Sequence, residues 1–177
     1  LGRLQAAYVY FCRSPLRHED EIAGEFMELL GHPFLQQIGF DPSGYLLLGT
    51  QPVYLEDPTT KLFHHIAEYL VRIERAQQDI YWHVSIEFLS IENQVLKTEH
   101  RTRHPHVSNG GHLCITDGRA QLLQEIRFGH LLEAFNWIEE ILHTYNPGNP
   151  FARITHWPAV SNVDPHRYRS RGGASHA

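Results

Sequence analysis

Residues 103–117, R-H-P-H-V-S-N-G-G-H-L-C-I-T-D, join a histidine-proline-histidine triplet to a cysteine across a glycine-rich loop. The triplet is His104, Pro105 and His106, and the cysteine is Cys114. The bare backbone of Gly110 and Gly111 lets the chain turn without shielding the residues after it, so a thiol on this turn is expected to be exposed. The thiolate is the nucleophilic form of cysteine, and neighbouring imidazoles can lower a thiol pKa or position a reaction partner. The plainer alternative is a small buried apolar residue, which is what a free cysteine most often is.

The run resembles the active-site segment of ubiquitin-conjugating enzymes. In that family an H-P-N tripeptide is followed by an apolar residue, a short Asn/Ser/Gly stretch, a second apolar residue and the catalytic cysteine. Here His104 and Pro105 match the His and Pro, and Val107 and Leu113 match the apolar positions. Ser108, Asn109, Gly110 and Gly111 match the polar stretch, and Cys114 falls at the family's spacing. The family's asparagine is replaced by His106, which is similar to the H-P-H variant of bacterial relatives. Those relatives occur in operons with an activating enzyme, a ubiquitin-like protein and a deconjugating protease, several of them tied to phage defence.

The resemblance implies acyl transfer by a thiol. Cys114 would receive the C-terminal acyl group of a ubiquitin-like protein from an activating enzyme as a thioester, then pass it to an amine of a protein substrate or to a thiol. His106 takes the place of the asparagine that serves the tetrahedral intermediate or holds the loop. It can do either as an N–H donor, or act as a general base near neutral pH. His104, Pro105 and Asn109 are expected to shape the active-site loop. No cofactor or metal is expected.

Downstream, Gly129 to His143 is predicted as a helix, with Leu131, Leu132, Phe135, Ile138, Ile141 and Leu142 as its apolar stripe. Gln121–Ile126 precedes it, after a polar Asp117-Gly118 turn. Asn146-Pro147-Gly148-Asn149-Pro150-Phe151 is similar to the family's N-P-x-x-P-apolar turn on the rim of the active-site cleft. Many members carry an acidic residue at the position of Asn149, where it orients or deprotonates the incoming amine. Asn149 can hydrogen-bond but cannot act as a base, and a plain turn asparagine is the alternative. The pattern ends after Trp157-Pro158, so a single domain is expected over residues 1–160 with a flexible tail over residues 161–177. The tail's R-Y-R-S-R-G-G faintly resembles the end of a ubiquitin-like modifier, but a Gly-rich tail is the commoner meaning. Too few residues remain for the two C-terminal helices of the full conjugating fold.

Upstream, Ile80–Ile91 is predicted as a strand with Val84, Ile86 and Phe88 on one face. Glu92-Asn93-Gln94 turns it into a more polar strand over Val95–Arg103. This order resembles the meander that delivers the conjugating-enzyme active site, without the proline-rich link usual there. Glu19–Leu30 is predicted as a helix, with Ile22, Phe26, Leu29 and Leu30 on one face, acidic residues in its first turn and Gly31 at its end. Phe34–Phe40, Asp41-Pro42-Ser43-Gly44 and Tyr45–Leu48 read as a hairpin, and Pro52–Leu55 as a further short strand.

Asp57–Gln78 reads locally as a helix. Asp57-Pro58-Thr59-Thr60 resembles a capped start, and Leu62, Phe63, Ile66, Tyr69, Leu70 and Ile73 keep helical spacing. The conjugating fold has no long helix there, so the segment is either an inserted helix or partly an edge strand. Leu4–Phe11 reads as a strand or a docked helical turn, and Cys12 beside it as a packing cysteine. The expected class is α+β, an antiparallel β-meander packed against helices in the ubiquitin-conjugating manner.

Composition narrows the partners. A chain of 177 residues is long enough for one domain with a real core, at about 100–200 residues per domain. With 42% hydrophobic and 20% charged residues it falls among globular proteins. A net charge of −5 argues against a general nucleic-acid surface, and no apolar run approaches the roughly 20 residues of a membrane span. Two cysteines make no disulfide framework, so a reducing, cytoplasmic setting is expected. There is no signal-peptide pattern, although the chain begins at Leu1 rather than Met, which makes that a weak argument.

Three rivals remain at this level. His104, His106, His112 and Cys114 are ligand types zinc accepts, but not at a standard zinc spacing. A non-catalytic conjugating-like interaction domain would usually lack the cysteine. A cysteine protease would need His and Asn or Asp partners from other elements, and 14 histidines leave candidates.

Overall fold

Two aspartates make the turns that set the strands of this protein. The structure, a computed structural model, describes residues 2, 4–6, 17–75, 82–88, 104–108, 118–161 and 164. Asp41 Oδ1 accepts from the backbone amides of Ser43 at 2.8 Å and Tyr45 at 3.0 Å. Gly44 takes φ +84°, a conformation open to glycine and strained for most other residues. The turn joins β1 (Leu35–Phe40) to β2 (Leu46–Thr50) in the antiparallel hairpin that the sequence predicts.

Asp57 does the same for the next pair. Its Oδ1 accepts from the Thr59 amide at 2.9 Å and its Oδ2 from the Thr60 hydroxyl at 2.9 Å. These two bonds, Thr59 first, hold its carboxyl pKa below the usual value. The turn joins β3 (Val53–Glu56) to β4 (Phe63–Ala67) and closes with the Asp57 amide on the Leu62 carbonyl at 2.8 Å. β5 (Tyr69–Arg75) comes next, and then β6 (Trp82–Phe88).

The helix predicted over Asp57–Gln78 is therefore a misreading, because residues 63–67 and 69–75 are strands. The segment carries two periodicities at once. The stripe from Leu62 to Ile73 has helical spacing, but His64 and Ile66, then Tyr69, Val71 and Ile73, are buried in alternation. Val71 lies outside the helical stripe, and β-branched Ile66, Val71 and Ile73 favour the extended chain. The capping chemistry of Asp57 is real, but it caps a hairpin turn. Nor is β5 an edge strand, since it pairs with β2 on one side and β6 on the other.

Among the described residues there are two sheets. The larger runs β1-β2-β5-β6, antiparallel throughout. It is a meander interrupted between β2 and β5 by the β3–β4 hairpin. Val84, Ile86 and Phe88 of β6 stand in register with Ile73, Val71 and Tyr69. The smaller sheet runs β3-β4-β7, where β7 (Ala159–Val160) lies beside Phe63 and His64.

Among the described residues, three helices of 11 or 12 residues flank the strands. α1 (Glu19–Leu30) has the predicted bounds, and Ile22, Phe26 and Leu29 form its buried face. α2 (Gly118–Phe128) buries Leu122 and Ile126, an i, i+4 pair that the sequence reading left unassigned. α3 (Leu131–Leu142) fills most of the predicted Gly129–His143 helix, but the chain breaks at Gly129, whose φ of +78° ends α2. Glu25 of α1 caps α3 from outside, its Oε1 accepting from the Leu132 amide at 2.7 Å. Arg17 bonds both Glu25 and the Gly129 carbonyl, which ties the helices together at that end.

The core lies between these helices and the sheets. Phe26 and Leu29, Leu48 and Val71, Phe135 and Ile138, Val107 and Trp157 all belong to one buried cluster. Phe34 and Phe135 pack with ring centroids 5.7 Å apart. Each fully buried side chain of this size contributes about 1.5–3 kcal/mol, so the cluster holds Val107, next to the H-P-H triplet, in place. The class is α+β, with antiparallel sheets and helices, as predicted.

Residues 4–6 are helical, and Leu4 packs against the core, which fits a docked helical turn there. The rest of Leu4–Phe11, Cys12, the turn at residues 92–94, the strand predicted over Val95–Arg103 and nearly all of the tail lie outside the described residues. Among the described residues no helix is long and apolar enough to cross a membrane.

Candidate active site

A proline flanked by histidines makes a tight turn here. The Val107 amide donates to the His104 carbonyl at 3.0 Å, closing the chain over Pro105 and His106. Val107 and the His104 ring are both fully buried. Proline fixes φ and donates nothing, so the turn needs bonds from its neighbours.

The His104 side chain supplies them. The His106 amide donates to His104 Nδ1 at 3.0 Å. A backbone amide can only donate, so Nδ1 carries a lone pair and no proton. His104 Nε2 lies 2.9 Å from the Leu142 carbonyl, which can only accept, so Nε2 carries the proton. Leu142 is the last residue of α3, where carbonyls lack partners within the helix. His104 is thus a strut between the triplet and the end of α3. Burial pushes its pKa down to about 3, the bond to Leu142 opposes that shift, and His106 and His143 lower it further. The neutral ring is the form these two bonds require. Tyr69 packs edge-on to it at 5.8 Å.

The second sequence motif meets the first at this point. The Phe151 amide donates to the Pro105 carbonyl at 2.8 Å, and the Asn146 amide donates to His106 Nε2 at 2.9 Å. Asn146 Oδ1 accepts from the Gly148 amide at 2.9 Å, which shapes the turn from within. The Tyr145 hydroxyl accepts from the Ile154 amide at 3.3 Å, and its ring lies 6.1 Å from that of His106. His106 is 9% exposed, and burial lowers its pKa. Asn149 is exposed at the tip of the turn, and Phe151 beside it is 49% exposed.

No family model matches the chain, and no curated protein or solved structure matches it either.

Of the predicted site residues, the structure brings together His104, Pro105 and His106, with Asn149 on the adjoining turn. Cys114, Asn109 and His112 lie outside the described residues. A zinc centre on His104, His106, His112 and Cys114 fits the described half of that set poorly. Both ring nitrogens of His104 are engaged by backbone groups, and Nε2 of His106 already accepts from Asn146. Among the described residues no three His, Cys, Asp or Glu side chains gather as a metal site.

Two participants escaped the sequence reading, the Leu142 carbonyl and the Asn146 amide. Both are backbone groups, so no residue type announces them. The available signals were positional, a helix end at residues 142–143 and an Asn-Pro start to the turn. His143 also belongs to this neighbourhood. It is buried, donates from Nδ1 to the Glu139 carbonyl at 2.9 Å and packs on Phe34 at 4.9 Å.

Proposed function

We propose that the chain is a ubiquitin-conjugating-like domain in which Cys114 carries a ubiquitin-like protein as a thioester. The observation that supports this reading is the meeting of its two sequence motifs. Residues 104–106 and 146–151 are far apart in sequence, and two backbone-donated bonds of 2.9 and 2.8 Å join them at His106 and Pro105. A catalytic loop and a cleft rim held in register are what the H-P-x and N-P-x-x-P resemblance asks for. The order of elements also agrees, with a first helix, an antiparallel sheet, the H-P-H turn and then a helix leading into the N-P-x-x-P turn. The β3–β4 hairpin, which interrupts the meander, is a departure from a plain four-stranded meander.

On this reading the Cys114 thiolate attacks the activated C-terminus of the modifier on its activating enzyme and displaces that enzyme's thiol. An amine of a protein substrate, or another thiol, then takes the acyl group. The partners are the ubiquitin-like protein, the activating enzyme and the substrate, with no nucleic acid, membrane or cofactor involved. The cellular setting is a bacterial cytoplasm, in antiphage defence. Reconstitution with the cognate activating enzyme, modifier and ATP tests it. A covalent adduct that reductant releases is expected with the wild-type chain, and none with Cys114→Ala.

A further inference from the structure

The two bonds that join the triplet to the Asn146–Phe151 turn respond differently to acid. The Phe151 amide donates to the Pro105 carbonyl at 2.8 Å, and a backbone carbonyl stays an acceptor as the pH falls. The Asn146 amide donates to His106 Nε2 at 2.9 Å. A backbone amide only donates, so this bond exists only while Nε2 carries a lone pair and no proton. Protonation of that nitrogen sets two donors against each other.

The two sides of the joint are anchored unequally. Val107 and His104 are fully buried, and His104 ties the triplet to the Leu142 carbonyl at 2.9 Å. Facing them, residues 146–149 and Phe151 are exposed, in a span that runs from buried His143 to buried Ala152. The turn is therefore the less anchored side. The titratable groups around the His106 ring are His104 on its own turn and Tyr145 from the chain after α3, each with its ring centroid 6.1 Å away. His143, also beyond α3, acts on His104. Burial holds the His106 pKa below its ordinary 6.5, and among the described residues no ionised group adds to that shift. His104 is held at about 3, so in mild acid it stays neutral and keeps its bonds to the His106 amide and the Leu142 carbonyl.

We propose that His106 and the Asn146 amide form an acid-released clasp: the bare Nε2 holds the 146–151 turn against the H-P-H turn at neutral pH, and a proton on that nitrogen frees the 146–151 turn while the H-P-H turn stays in place. The clasp goes beyond the thioester reading and stands whether or not Cys114 carries an acyl group. Its sign follows from linkage. With the clasp open the ring is hydrated and titrates near its ordinary 6.5, and with the clasp closed it titrates lower, so opening takes up a proton and acid favours it. The Phe151 bond alone then joins the two turns, and Asn146 Oδ1, which accepts from the Gly148 amide at 2.9 Å, moves with its own turn.

NMR on the 15N-labelled chain, titrated from neutral pH into mild acid, tests the clasp with two readouts. Two-bond 1H–15N correlations follow the proton on His106 Nε2, and backbone 15N relaxation follows the mobility of the Asn146, Gly148, Asn149 and Phe151 amides. At neutral pH a bare Nε2 and a rigid turn are expected, with order parameters of about 0.85. In acid the order parameters of the turn should fall below about 0.6, with the same midpoint as the protonation of Nε2, itself below 6.5. Those of Val107 and of Val71 in β5 should stay at about 0.85. A turn that stays rigid around a protonated Nε2, or a proton on Nε2 already at neutral pH, overturns the proposal. So does a simultaneous loosening of Val71, which means acid unfolding of the whole domain. His106→Gln places an amide oxygen as far along the side chain as Nε2, an acceptor that acid does not protonate. Its turn should remain rigid across the range, and a turn that still loosens in acid contradicts the clasp. Should that variant fail to fold, the two wild-type midpoints decide alone, and midpoints that differ overturn the proposal.

Discussion

Removing the His104 imidazole would strand the His106 amide and the Leu142 carbonyl in the interior and leave a cavity beside Tyr69. Each unsatisfied backbone group costs about 1–3 kcal/mol, before any cavity term. His104→Ala is therefore expected to lower unfolding stability by about 3–5 kcal/mol. A urea midpoint close to wild type would show that the strut carries little. Residue by residue, the sequence disclosed the members of the triplet and of the Asn146–Phe151 turn, because proline and glycine mark turns wherever they stand. It could not disclose which nitrogen of each ring is protonated. That depends on backbone amides and carbonyls brought in from other segments, such as Leu142 and Asn146.

At the scale of elements, the helix junction depends on one carboxylate. Glu25 of α1 accepts from the first turn of α3 and pairs with Arg17, which also holds the Gly129 carbonyl. Glu25→Ala removes the cap and one partner of Arg17, and should cost about 1–2 kcal/mol. Loss of amide-exchange protection should be greatest in the first turn of α3, and undiminished protection there would count against a capping role. α1 and the Asp41 hairpin were legible because a single periodicity or turn signature acted alone in each. Asp57–Gln78 was not, because its apolar residues satisfied a helical and a strand pattern together. Pairing with β2 and β6 decided between them, and no local propensity contains that information. The break at Gly129 was also hidden, since a glycine at the edge of a long apolar stripe looks like the start of one helix rather than the joint between two.

Across the whole molecule, buried neutral histidines make the fold acid-sensitive. His104 is held near pKa 3 and His106 and His65 are also lowered, in each case chiefly by burial. Their unfolded counterparts take up protons near 6.5, so the unfolded chain binds more protons than the folded one as the pH falls. Their contribution to stability is complete above about pH 6.5 and declines steadily below it. His104 alone accounts for a loss of about 2 kcal/mol between pH 7 and pH 5. The lowered carboxyl of Asp57 acts in the same sense in stronger acid, below its ordinary value of 3.8. Urea midpoints across this range should fall towards acid, and a flat profile would mean that these rings are hydrated.

The proposed chemistry depends on one thiol, Cys114, ten residues beyond His104. Intact mass under non-reducing conditions, after incubation with the cognate activating enzyme, ubiquitin-like protein and ATP, reads it directly. The wild-type chain should gain the mass of one modifier less water, reductant should remove it, and Cys114→Ala should gain nothing. An equal reductant-sensitive adduct on Cys114→Ala would contradict the assignment of Cys114 as the acyl carrier.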